Sequence, residues 1–224
     1  MGNLSGISTT NATFQSGITL GAGASIVVQT PAMMTIPNGQ TLTNNGSITI
    51  DGTNTTAATL RFEGNGPPVT GTQIIYASAL SRLQYSGSGT VRSSSPTEFP
   101  AMMPATVVVD PNVTLTLDGD KTLQSALFLS GLMDIRNAPM PRRVVLQGRL
   151  DLQGAFIANG NSDLEIGQNG GTPEAITGRL AIATNILRNF TMNRAATTLQ
   201  LGSPMLIQGG LSLARGVLRS DTTY

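Results

Sequence analysis

The chain has no histidine, no cysteine and no tryptophan. Without histidine, neither Ser-His-Asp nor Cys-His catalysis can be assembled, and a zinc site that uses imidazole is excluded as well. Without cysteine there are no disulfides and no thiolate sites, which suits a reducing interior and a thiol-avoiding bacterial surface protein equally. Aromatics make up 4% of the chain and the only tyrosines are Tyr76, Tyr85 and Tyr224, so a carbohydrate site built on a row of stacked rings is not expected. Charged residues are 11%, the net charge is +1 and Lys121 is the sole lysine. Long-range attraction to nucleic acid or an anionic membrane is therefore weak, and neither is expected as a partner. No run approaches the ~18 apolar residues of a membrane-spanning helix. The opening MGNLSGISTT has neither the basic start nor the apolar run of a secretory signal, and the chain reads as a piece of a longer secreted protein.

What is present is β-structure in short beats. Apolar residues make up 39% of 224 residues, enough for one elongated body with a sizeable core, and the polar remainder is rich in Gly, Thr, Asn and Ser. Residues Ile18-Thr-Leu20, Ser25-Ile-Val-Val28, Met34-Thr-Ile36 and Ser47-Ile-Thr-Ile50 alternate as half-buried strands do. Between them stand Gly21-Ala-Gly23, Pro37-Asn-Gly39 and Asn44-Asn-Gly46, which favour turns because Gly and Asn tolerate positive φ and Pro presets it. The spacing leaves no room for helices. Residues 1–104 form the less regular part, and within them Ile74 to Leu83 admits a second reading as a short helix. Glu98-Phe-Pro-Ala-Met-Met-Pro104 reads as an extended crossing that seats Phe99 and both methionines.

The strongest internal signal is a repeat. Thr114 to Ser130 returns 84 positions later as Thr198 to Ala214, pairing Thr114 with Thr198, Leu115 with Leu199, Gln124 with Gln208 and Leu127 with Leu211. Each copy presents two Leu-x-Leu beats around a turn, a unit that cannot bury its apolar face unless a like unit stacks above and below. The chain thus divides into related units at 105–137 and 189–218 joined by 138–188, all within a single solenoid over 1–224. The expected fold is all-β: a parallel β-helix, right-handed, of about 9 to 11 rungs of roughly 20 to 25 residues and roughly 45 to 50 Å in length. Its expected core ladder contains Leu115, Leu117, Leu127, Leu129, Leu199, Leu201, Leu211 and Leu213. The alternative is a tandem β-sandwich. A final beat that stops at Tyr224 without a polar cap would leave an open end able to stack on another copy.

The segments Tyr85 to Gly89, Glu98 to Pro100, Val107 to Val109, Leu115 to Lys121, Leu127 to Leu132 and Asn161 to Leu218 resemble modules of very large secreted proteins of Bacteroidetes-type bacteria. That resemblance implies a parallel β-helix in an adhesin-like cell-surface protein exported by a type IX system. It carries no catalytic residue, and the sorting domain of such proteins has no counterpart here.

Candidate chemistry is sparse. Asp118 with Asp120, and Asp163 with Glu165, are i and i+2 pairs that would share one side of a strand, a geometry open to Ca²⁺ or acid/base work. The plainer readings are a turn for Asp118-Gly-Asp120 and an ordinary outward-facing pattern for Asp163-Leu-Glu-Ile166. Arg136, Arg142, Arg143 and Arg149 form a basic stretch diluted by Asp134 and Asp151. The Gly64 to Gly66 and Gly167 to Gly171 runs lack the Lys-Ser/Thr or helix of a phosphate cradle and read as turns. Thr41/Thr43 and Thr114/Thr116 are not iterated as an ice-binding ladder requires. Asn-x-Ser/Thr triplets at Asn3, Asn11, Asn45, Asn54, Asn112 and Asn189 follow from composition. No catalytic, cofactor or metal residue is assigned. The expectation is a non-catalytic structural or adhesive segment at a bacterial cell surface, able to stack end to end or to meet surface glycans, with a polysaccharide-active β-helix enzyme as the alternative.

Overall fold

A computed structural model describes residues 11–220 except 54, 138, 169 and 171–173. The chain's start, Tyr224 with its expected open end, Asn3, Asn54 and part of the Gly167 to Gly171 run lie outside the described residues.

The structure is an all-β parallel solenoid of about 9 turns. The chain visits three faces in rotation. The first face is a single eight-stranded parallel sheet running from Ala12–Thr13 to Ile176–Gly178. The second is split into a three-stranded sheet ending at Thr70–Gly71 and a four-stranded sheet beginning at Thr90–Ser93. The third is split likewise, between a three-stranded sheet ending at Ile75–Tyr76 and a six-stranded sheet beginning at Met102–Met103. No helix forms over Ile74 to Leu83. Ile75–Tyr76 and Ser81–Ser86 are strands, and Gly52 accepts a bond on its carbonyl from Ser78 at the bend between them.

Register explains why alternation was sufficient to specify the turns. On the first face Met34, Leu60, Leu83, Val107, Leu127, Leu150 and Ile176 lie in one ladder, so successive turns take 20 to 26 residues. All but Ile176 in that ladder are buried, each adding on the order of 1.5–3 kcal/mol of apolar burial. A second ladder stacks Phe62 on Tyr85, with ring centroids 5.9 Å apart. A slip of one residue would turn every such side chain outward.

The 84-residue sequence repeat is not a whole number of turns. Leu127 stands on the first face, whereas Leu211 pairs with Phe190 on the third. Leu115, Leu117, Leu127, Leu129 and Leu199 are buried as expected, but Leu201 is only partly buried, and Leu211 and Leu213 are 54% and 51% exposed. The reason is position. Leu211–Arg219 is the outermost strand of its sheet among the described residues, so its inward side chains lack the layer that covers their counterparts elsewhere. Met102 departs similarly: Phe99 and Met103 are buried, but Met102 points outward and is 62% exposed.

Close stacking also fixes which glycines are required. At Gly154 an added Cβ would fall inside the van der Waals radius of the Gly131 carbonyl oxygen on the preceding turn, while at Gly119 it would meet nothing within 4 Å. Gly154→Val should therefore destabilise by about 3 kcal/mol or more and Gly119→Ala by less than about 0.5 kcal/mol, as read from urea unfolding midpoints.

Candidate functional site

The charged residues singled out in the sequence gather on the side of the rod formed by the second and third faces. Asp118-Gly-Asp120 is the turn between strands Val113–Thr116 and Lys121–Leu123. Asp118 accepts a bond from Ser94 Oγ and pairs with Lys121 Nζ at 2.8 Å. Lys121 is itself buried, donates to the Phe99 carbonyl at 2.5 Å and stands 5.0 Å from the Phe99 ring centroid. Asp120 accepts the Arg143 backbone N–H at 2.8 Å, and the Arg143 guanidinium reaches Glu165 on the next turn at 2.6 Å. Asp163 faces outward beside Glu165 and is held by Arg188 and by Asn189 Nδ2 at 2.9 Å.

Asp134 takes Arg136 in two parallel bonds of 2.7 and 3.0 Å. Arg142 lies buried among these groups and donates to the Arg136 carbonyl at 2.8 Å; burial lowers its pKa, against the opposing pull of Asp118, Asp134 and Asp120. The expected basic stretch thus resolves into Arg136, Arg142 and Arg143 around one carboxylate-rich corner, with Arg149 elsewhere, 5.6 Å from the Phe128 ring centroid. Asp151 accepts from Gln153 at 3.0 Å. Both candidate carboxylate pairs are engaged by cations or backbone donors. Among the described residues no group of three or more acidic side chains is placed to hold a metal ion.

A second polar cluster was not legible as such. Glu98 and Arg92 are 0% and 3% exposed and pair at 3.0 Å inside the solenoid. Tyr85 Oη donates to Glu98 Oε1 at 3.0 Å, and the Val69 N–H donates to Oε2 at 3.2 Å. Tyr76 Oη donates to the Glu98 carbonyl at 2.7 Å, and Arg92 donates to the Pro67 carbonyl at 3.2 Å while lying over the Phe62 ring at 4.1 Å. Burial pushes the Glu98 carboxyl up, against the pull of Arg92, and burial likewise raises both tyrosines. A sparse set of charges in an apolar sequence reads as solvated surface, and the only available signal was the unusual Glu-Phe-Pro string.

Two of the grooves among the described residues run along corners of the rod. One, of about 460 Å³, is lined by Ser78, Gln124, Ser125, Arg149 and Glu174 between the third and first faces. The other, of about 690 Å³, is lined by Ser88, Asn112, Thr114, Ser130 and Gln153 between the first and second. Neither was anticipated, because corner residues carry no periodic signal.

Arg92→Met leaves a buried carboxylate without its counter-charge and should cost about 3–5 kcal/mol at pH 8. Because the folded-state Glu98 pKa is already raised and rises further without Arg92, the penalty is fully present above that pKa and shrinks as pH falls; the variant's deficit is smaller at pH 5, and adding Glu98→Gln recovers part of it. The parent chain behaves in the opposite sense at lower pH. Partial burial pushes Asp118 and Asp134 up, but bonds from Lys121 and Ser94 to the first and from Arg136 to the second outweigh it and hold both below the usual carboxylate range. Their contribution is complete above about pH 4 and is lost as pH falls through the folded-state values, so urea midpoints should drop there and Asp134→Asn should flatten the drop.

Compared with protein-family models, with curated proteins and with solved structures, the chain matches none.

Proposed function

We propose that this chain is a non-catalytic structural segment of an extracellular bacterial surface protein, serving as stalk, fibre or adhesive body. The observation that carries the reading is the engagement of both candidate carboxylate pairs. Asp118 and Asp120, like Asp163 and Glu165, are tied to Lys121, Arg143 and Arg188, which leaves neither pair free to divide acid and base roles. The neutral amide- and hydroxyl-rich surface supports the same reading, as does the resemblance to type IX-exported modules of Bacteroidetes-type bacteria.

Within this class the exposed Leu206, Leu211, Leu213 and Val217 on the outermost described strands favour end-to-end stacking of copies into a fibre. The alternative, a polysaccharide-active enzyme, is favoured by one feature: Arg149 and Glu174 line the same 460 Å³ groove, a charge pair suited to a uronate chain.

Light scattering with negative-stain microscopy across a wide concentration range tests the first reading and its fibre form together with a turnover assay. The expected results are rods that lengthen with concentration beyond the roughly 45 Å of one copy, and no unsaturated product or new reducing ends from polygalacturonate or alginate. Turnover that Glu174→Gln abolishes would overturn the non-catalytic reading. Monomers at every concentration would remove the fibre form alone.

A further inference from the structure

The groove between the first and second faces differs from the other in a way that points to a ligand. Among the described residues no ionisable side chain lines it. Ser88, Asn112, Thr114 and Ser130 bring hydroxyl and amide groups from successive turns to it, and none of these side chains has a hydrogen-bond partner among the described residues. In the other groove the hydroxyls are already used: Ser78 donates to the Gly52 carbonyl at 2.5 Å and Ser125 to the Ala79 carbonyl at 3.2 Å. The free groups face Leu132 and Ala155, outward-pointing neighbours of Thr114 in the parallel ladder that add an aliphatic wall. Asn112 has φ +64°, the left-handed conformation of a tight turn, which sets its amide at the rim.

We propose that this groove binds an extended, uncharged polysaccharide chain. The assignment rests on the adhesive reading above and names its ligand class. The groove crosses five turns, from Ser88 to Ala181, which at about 4.8 Å per turn makes it roughly 19 Å long and open along the rod axis. A polymer that lies in it meets hydroxyl and amide groups on one side and methyl groups on the other, matching the hydroxyl edge and C–H face of a sugar ring. The lack of charge disfavours uronates and sulfated glycans, which would desolvate their anions without a counter-ion. A peptide added as a strand needs an open sheet edge, and the backbone bonds along this flank are already spent between turns. Aliphatic contact and hydrogen bonding here replace the aromatic platform that the composition rules out.

The test is titration calorimetry with cellohexaose, mannohexaose, laminarihexaose and, as the charged probe, hexagalacturonate. Saturable binding of at least one neutral hexasaccharide is expected, with none of hexagalacturonate. The double variant Asn112→Gly, Ser130→Ala keeps the turn conformation and removes an amide and a hydroxyl, so affinity should fall about tenfold or more while the urea midpoint stays unchanged. Arg149→Ala, in the other groove, should bind as the parent does. Absence of saturable neutral binding, undiminished binding by the double variant, or loss of binding in Arg149→Ala would overturn the assignment. Binding that survives the double variant leaves the adhesive reading standing on another surface, whereas release of reducing ends from a bound probe would sink the adhesive reading itself.

Discussion

The backbone ladders of each turn of this solenoid pair with the turns stacked next to it, and that one-dimensional stacking governs the rest. A side chain that points inward is covered laterally by its own turn and axially by its two neighbours. Leu127 has Val107 below and Leu150 above and is wholly buried. Among the described residues Leu213 has a ladder neighbour, Met192, on one side only and is about half exposed, although its residue type and alternation are the same. Burial here is thus a property of place along the axis as much as of sequence. The same constraint makes the bend at Gly154 intolerant, since consecutive turns approach closer than a side chain permits.

Where stacking fails, side chains take over its hydrogen bonds. The second and third faces both break between residues 71 and 102, although the first continues unbroken through Ser81–Ser86. Pro67 and Pro68 stand just before the interruption and Pro96 and Pro100 within it, and proline has no N–H to give to a ladder. Glu98 accepts the orphaned Val69 N–H, Arg92 caps the Pro67 carbonyl, and Tyr76 caps the carbonyl of Glu98 itself. Arg194 plays a comparable part further along. Wholly buried, it donates to the carbonyls of Leu146, Gly148, Gly167 and Glu174, which come from consecutive turns, so one guanidinium ties a corner together through main-chain acceptors.

These features divide what the sequence could convey from what it could not. Alternation is local, so strands such as Ser25–Gln29 and Ser162–Ile166 were readable from their own residues, and with them the solenoid. Phase is not local. The matched leucines of the 84-residue repeat look equivalent, yet the intervening turns vary in length, and the second copy arrives on a different face. Buried charges were hidden because their partners are 6 residues away for Arg92 and Glu98, and 20 to 48 away for Arg194, with no periodic mark. The carboxylate pairs were placed correctly as a turn and an outward strand. Which cations meet them depends on register between turns, and that exists only once the chain is coiled.

The paired charges have a role that their modest energy would not suggest. Exposed ion pairs contribute little to stability. Arg143 with Glu165 and Arg188 with Asp163 nevertheless join residues on adjacent turns 22 and 25 positions apart. A strand that slipped by one residue would carry its cation to the wrong side of the sheet, so such pairs penalise misregistered stacking more than they reward the correct one. Concentrating charge between turns in this way leaves the corner between the first and second faces with the hydroxyls of Ser88, Thr114 and Ser130 and the amide of Asn112, which no described residue engages. Polar groups unneeded for coiling are the ones free to meet another molecule.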